Sequence, residues 1–265
     1  MNRVLDIVFV LLAVFSIGVV YTSSHIDESL LATLTKEMGL YENISVIILL
    51  CIGIYGTVFF IKRKASLDKL ALFFIPAFSL LAFVAALEEV SWGQHIFGFE
   101  SGEFFEENNL QKETNIHNLI DGNIFSSVIY FSTYAFFVFL PAFNTFFPKF
   151  LSFLPSNIIP SLRVSLIILF GSTFQLYFYD DFGVFSDMVT LMVGFVLLGI
   201  VLIMRFQKVS ALFYLLGVIS MIFCMMSYEI FDFYNMQYEI REMFVMLGAL
   251  YWFIEVTEKR AKRLF

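Results

Sequence analysis

Residues 69–98 read KLALFFIPAFSLLAFVAALEEVSWGQHIFG, and this stretch decides the fold class. No side chain from Leu70 to Leu87 carries a charge. A run of that length approaches the roughly 20 apolar residues that cross a bilayer core of about 30 Å. The run stops at two adjacent carboxylates, Glu88 and Glu89. Trp92, Gln94 and His95 follow at once. A membrane-length helix therefore delivers acids, an indole and an imidazole to one bilayer face.

The rest of the chain repeats the apolar theme. Its 265 residues are 60% hydrophobic, include 36 Phe, and have a mean hydropathy of +0.85. Only 15% are charged, against roughly 25% in soluble domains. A membrane β-barrel would alternate apolar and polar residues over roughly ten-residue segments, and these runs do not. The expected fold is an all-α, polytopic membrane bundle. Cys51 and Cys224 fall inside apolar runs and suggest neither a disulfide framework nor a zinc motif. The net charge of −7 disfavours nucleic acid as a partner. No A-x-A site follows the N-terminal apolar run, which is expected to remain as a first helix.

Eight spans are expected, at 4–21, 44–61, 69–87, 123–147, 162–179, 184–204, 210–228 and 242–257. With the N-terminus inside, thirteen of the 16 Lys and Arg fall on the inner side. Lys36, Lys112 and Arg241 fall outside. The positive-inside rule then puts both termini in the cytoplasm. Removing one span would invert every later loop and destroy that agreement. Nineteen of the 23 acids fall on the outer side, as do His25, His95 and His117. Acids contribute little to orientation, so topology leaves their bias unexplained. The expected location is a bacterial inner (plasma) membrane, with the unusual chemistry facing the periplasm.

Two outer segments carry structure of their own. Residues 22–43 are expected to form a short amphipathic helix, with Ser24 as N-cap and Gly39 as C-terminal stop. It would lie on the outer leaflet or pack over the bundle. Residues 88–122 form a loop long enough to be functional, and without low-complexity bias it is expected to be ordered.

That loop holds the candidate site. Helical continuation past residue 88 would put Glu88, Trp92 and His95 on one face, with Glu89 a quarter-turn away. Glu113 and His117 are again one turn apart. A carboxylate and an imidazole so spaced can share a proton or grip one metal ion. Glu88, Glu89, Glu113, Asp180 and Asp181 are the expected catalytic carboxylates. Trp92, Gln94, Asn115, Asn118 and Arg241 suit a polar substrate. His95, His117, Glu229, Asp232, Glu239 and Glu242 are the expected metal ligands. Against this, acids at helix ends are ordinarily solvated, and the Tyr and Trp residues also fit an interfacial belt.

H-E-x-x-H, G-x-S-x-G, P-loop and G-x-G-x-x-G patterns are absent. Carboxylate plus imidazole suits Zn, Mn or Fe, or metal-free general acid/base chemistry. The expected function is a membrane-embedded enzyme that hydrolyses or transfers a group on a lipid or lipid-linked headgroup. A proton- or cation-coupled transporter with an acidic vestibule is the first alternative. The second is a non-catalytic subunit that docks a partner through the 88–122 loop.

Overall fold

The structure is a computed structural model. It describes residues 2–27, 29–36, 38–119, 122–155, 158–175, 182–227 and 238–262, without the side chains of residues 2, 122–127, 175, 182–188 and 260–262. Among the described residues every regular element is helical. Five stretches are long and apolar enough to cross a membrane: Arg3–His25, Ser29–Ser66, Lys69–Glu89, Val128–Phe146 and Lys208–Met226. They contain α1 (Asn2–His25), α2 (Ser29–Thr35), α3 (Leu40–Arg63), α4 (Lys69–Glu89), the end of α7 (Gly122–Tyr134), α8 (Leu140–Phe146) and α11 (Lys208–Met226). Helices α5 (Gln94–Phe97) and α6 (Glu103–Asn108) lie in the loop after α4. Helices α9 (Leu162–Ser172), α10 (Phe182–Met204) and α12 (Tyr238–Lys262) complete the bundle.

Side-chain contacts give the helix directions. Phe9 packs on Phe213 and Tyr21 on Phe223, so α1 and α11 run parallel. Gly53 meets Phe83 and Gly56 meets Ser79, so α3 and α4 are antiparallel. The Tyr55 hydroxyl is 2.8 Å from Thr257 Oγ1, and Glu42 acts electrostatically on Glu239. Helices α3 and α12 are therefore parallel. Gly171 meets Phe244 while Arg163 bonds Tyr251, which makes α9 and α12 antiparallel. One end of the bundle thus collects Lys62, Arg63, Lys64, Arg163, Arg205 and Lys208. The other collects Glu42, Glu88, Glu89, Glu239 and Glu242. These are the basic and the acidic end.

Helix α9 is the axis, with every residue from Val164 to Ser172 buried. A helix apolar all round has no face for solvent and belongs at a centre. Around it Phe9, Phe170, Phe213 and Phe244 interlock, all at 0% exposure, with ring centroids 4.3–5.9 Å apart. At the basic end Arg163 Nη1 donates to Asp6 Oδ2 at 3.0 Å. The Tyr251 hydroxyl donates to Asp6 Oδ1 at 2.8 Å, and this joins α1, α9 and α12.

Two local features differ from expectation. Ser24 does not cap a helix. Its hydroxyl bonds the Val20 carbonyl at 2.7 Å as α1 continues to His25, and Asp27 accepts from the Ser29 N–H instead. The short helix α2 then buries Leu31 and Thr35 against the bundle. The span at 123–147 contains a π-turn, Ala135–Phe139, just ahead of Pro141. Proline has no N–H for the carbonyl four residues back and clashes with it, and a wider turn relieves both.

Candidate functional site

Helix α4 ends at Glu89, because Ser91, Trp92 and Gly93 take φ of 45°, 54° and 92°. Left-handed backbone suits Gly93 but is uncommon for the other two. The helical continuation expected for Glu88, Trp92 and His95 does not occur. Glu113 and His117 also share no helix. Lys112 sits at φ 58°, and only His117–Leu119 forms a 3₁₀ turn.

The turn instead produces a crossed pairing. Glu88 Oε2 accepts from the Ile116 N–H at 2.7 Å and the His117 N–H at 3.1 Å, with His117 Nδ1 at 3.3 Å. Trp92 Nε1 donates to Glu88 Oε1. Glu113 meets His95 Nε2 at 3.4 Å and accepts from Ser91 Oγ at 2.6 Å and Asn115 Nδ2 at 2.7 Å. His95 Nε2 lies 3.1 Å from Ser91 Oγ. Ser91, Asn109, Glu113 and Asn115 are all buried. Both carboxylates thus tie the 109–118 segment to the end of α4.

The amide side chains serve the same closure. Gln94 Oε1 accepts from the Thr114 N–H at 2.7 Å, and Asn118 Nδ2 donates to Gln111 Oε1 at 2.6 Å. Asn109 Nδ2 bonds both Asn115 oxygens at 2.9 Å, while its Oδ1 accepts from the Gln111 and Glu113 N–H groups. Residues 91–119 form a lid held by polar bonds, of which those among Ser91, Asn109, Glu113 and Asn115 are buried.

A second group of acids gathers at the same end, from three different helices. Glu42 opens α3, Glu89 closes α4, and Glu239 and Glu242 open α12. Each of Glu89 and Glu239 feels the charges of Glu42 and Glu242. His117 acts on Glu242 from the lid, and Arg241 acts on it from its own helix. Arg241 is only 2% exposed and stacks 3.2 Å above the Tyr130 ring. The Tyr130 hydroxyl reaches Glu242 Oε1 at 3.4 Å. Glu42 accepts from the Met38 N–H at 2.5 Å. Among the described residues, Arg241 Nε, Arg241 Nη1 and Glu239 Oε2 are buried with no hydrogen-bond partner. Glu239 lies just ahead of the apolar stretch of α12. Burial, and then the charges of Glu242, Glu89 and Glu42, push its carboxyl up to about 9.

Among the described residues, no three His, Cys, Asp or Glu side chains are placed to hold a metal ion. Asp180, Asp181, Glu229 and Asp232 lie outside the described residues. His95 and His117 engage different carboxylates. Glu42 and Tyr130 join Arg241, Glu239 and Glu242 without any local sequence signal. Ser91 could have been suspected from its place between the paired acids and a Trp-Gly. The chain matches no protein-family model, no curated protein and no solved structure.

Proposed function

We propose that the protein is a membrane-embedded enzyme whose site is the acid group under the lid. It hydrolyses or transfers a group on a lipid or lipid-linked headgroup. The carrying observation is the set of glutamates from three helices beside a buried guanidinium with two nitrogens that have no hydrogen-bond partner. Orphaned buried donors are costly, and phosphoryl oxygens would satisfy them. Glu239 is neutral at pH 7 and supplies the proton to a leaving oxygen. Glu242, which the Tyr130 hydroxyl reaches beside Arg241, is its partner carboxylate. Glu89 completes the group. Glu88, Glu113, His95 and His117 hold the lid over it. The proposal includes a divalent ion (Zn, Mn or Fe). It is an alternative to that proton transfer: deprotonated, Glu239 and Glu242 would offer oxygen donors, and such an ion would polarise the phosphoryl oxygen that Arg241 engages.

Eight spans with cytoplasmic termini, in a bacterial inner membrane with the lid in the periplasm, belong to the same proposal. The lysine and arginine distribution supports that topology. So do the helix directions, since α1 and α11 run one way and α3 and α12 the other. The transporter alternative is weaker. The interlocked rings of Phe9, Phe170, Phe213 and Phe244 fill the core between the acidic group and Asp6.

The test is release of water-soluble headgroup from mixed phospholipid and lipid-linked substrates in proteoliposomes, read by mass spectrometry. Turnover by the wild type, reduced at least about a hundredfold in Glu239→Gln and Glu242→Gln, is expected. Equal turnover in the wild type and both variants would overturn the assignment.

A further inference from the structure

We propose that the basic end of the bundle carries a separate site for the phosphate of an anionic phospholipid headgroup. A cavity of about 200 Å³ opens there between α8, the segment before α9, and the end of α10. Ile159, Leu198 and Val201 form its apolar side, and Asn144, Arg205 and Gln207 its polar side. No Asp or Glu lines it.

The charge balance selects the ligand. Arg205 is exposed and forms no ion pair among the described residues. The four acids of this end are engaged elsewhere. Asp6 pairs with Arg163, Asp68 accepts from the Ala71 N–H, Glu255 faces Lys259, and Glu258 acts on Tyr55. Among the described residues, no acid pairs with Arg205. Gln207 Oε1 accepts from Ser210 Oγ at 3.3 Å, which leaves the Gln207 amide N–H groups for another acceptor. Ser161, which caps α9 by accepting from the Val164 N–H, also lines the cavity, but it engages Glu255 as well, so that helix end is already balanced by a carboxylate. A cation and amide donors around one cavity call for a phosphate.

Its surroundings select a lipid over a free ion. Phe147, Phe150, Phe153 and Phe206, close in sequence to the lining residues Thr145, Arg205 and Gln207, are all exposed and offer apolar rings that acyl chains can cover. Val196 and Ile203 expose an apolar face along α10 that acyl chains can follow. The cavity is smaller than the roughly 300 Å³ or more of a drug-sized site, which suits a headgroup alone.

The test is native mass spectrometry of the full chain in detergent, titrated separately with phosphatidylglycerol, phosphatidylcholine and inorganic phosphate. Wild type should retain phosphatidylglycerol over phosphatidylcholine, and Arg205→Gln should bind it roughly tenfold more weakly. A second variant, Val201→Phe, fills the cavity without touching charge and should also lose the lipid. Circular dichroism checks that both variants are folded. Equal retention by wild type and both folded variants overturns the site. Displacement of the lipid by equimolar inorganic phosphate overturns its assignment to a lipid.

Discussion

Glu88 acts as a cap on the lid. Its two oxygens receive donors from Trp92, Ile116 and His117, which fixes the 3₁₀ turn at His117–Leu119. Glu88 is only partly buried, so water can replace it and the loss is that of the hydrogen bonds themselves, about 0.5–1.5 kcal/mol each. Glu88→Ala is therefore expected to speed amide hydrogen exchange at Ile116 and His117 while exchange in α9 stays unchanged. Glu239 has the opposite character, because burial among like charges raises its carboxyl to about 9 from an ordinary value near 4.5. Between those two pH values the folded state binds more protons than the unfolded state. Stability then falls as pH rises through that window. Thermal unfolding from pH 5 to 9 should show this slope in the wild type and a flatter one in Glu239→Gln. The variant should also be the more stable of the two at pH 9.

The helical elements were largely legible, because each apolar run announces itself locally by length and each corresponds to a described helix. How α4 ends was not. Only Gly93 hints at left-handed backbone, and nothing in Ser91 or Trp92 foretells that they share it. The pairing of Glu88 with His117 and of Glu113 with His95 follows from that turn, so helical spacing suggested other partners. Glu42 was hidden for a different reason. It reaches Glu89 and Glu239 only through helix packing, which no local pattern records. That packing is close. A Cβ on Gly56 would lie 2.0 Å from Ser79 Oγ and 2.7 Å from the Phe253 ring, where α3, α4 and α12 meet. Gly56→Ala should cost about 1–3 kcal/mol by overpacking. A fall in melting temperature is the expected readout, and a neutral result would mean that the three helices sit farther apart.

At the scale of the whole molecule, the bundle separates its two chemistries. The basic end is joined by Asp6, Arg163 and Tyr251 and shows no acid in its cavity. The acidic end gathers glutamates and a buried arginine beneath a lid. Between them lies a core of interlocked phenylalanines. A site closed off toward the middle of the bundle is suited to chemistry on a molecule that arrives and leaves by the same face, and it is poorly suited to conduction. The most direct measurement follows headgroup release and proton or cation flux in the same proteoliposomes, for wild type beside Glu242→Gln. Headgroup release that disappears in the variant, with no flux in either, is the expected result. Flux in the wild type that disappears in Glu242→Gln, without headgroup release, would contradict the enzymatic account and make the acidic group a transport site.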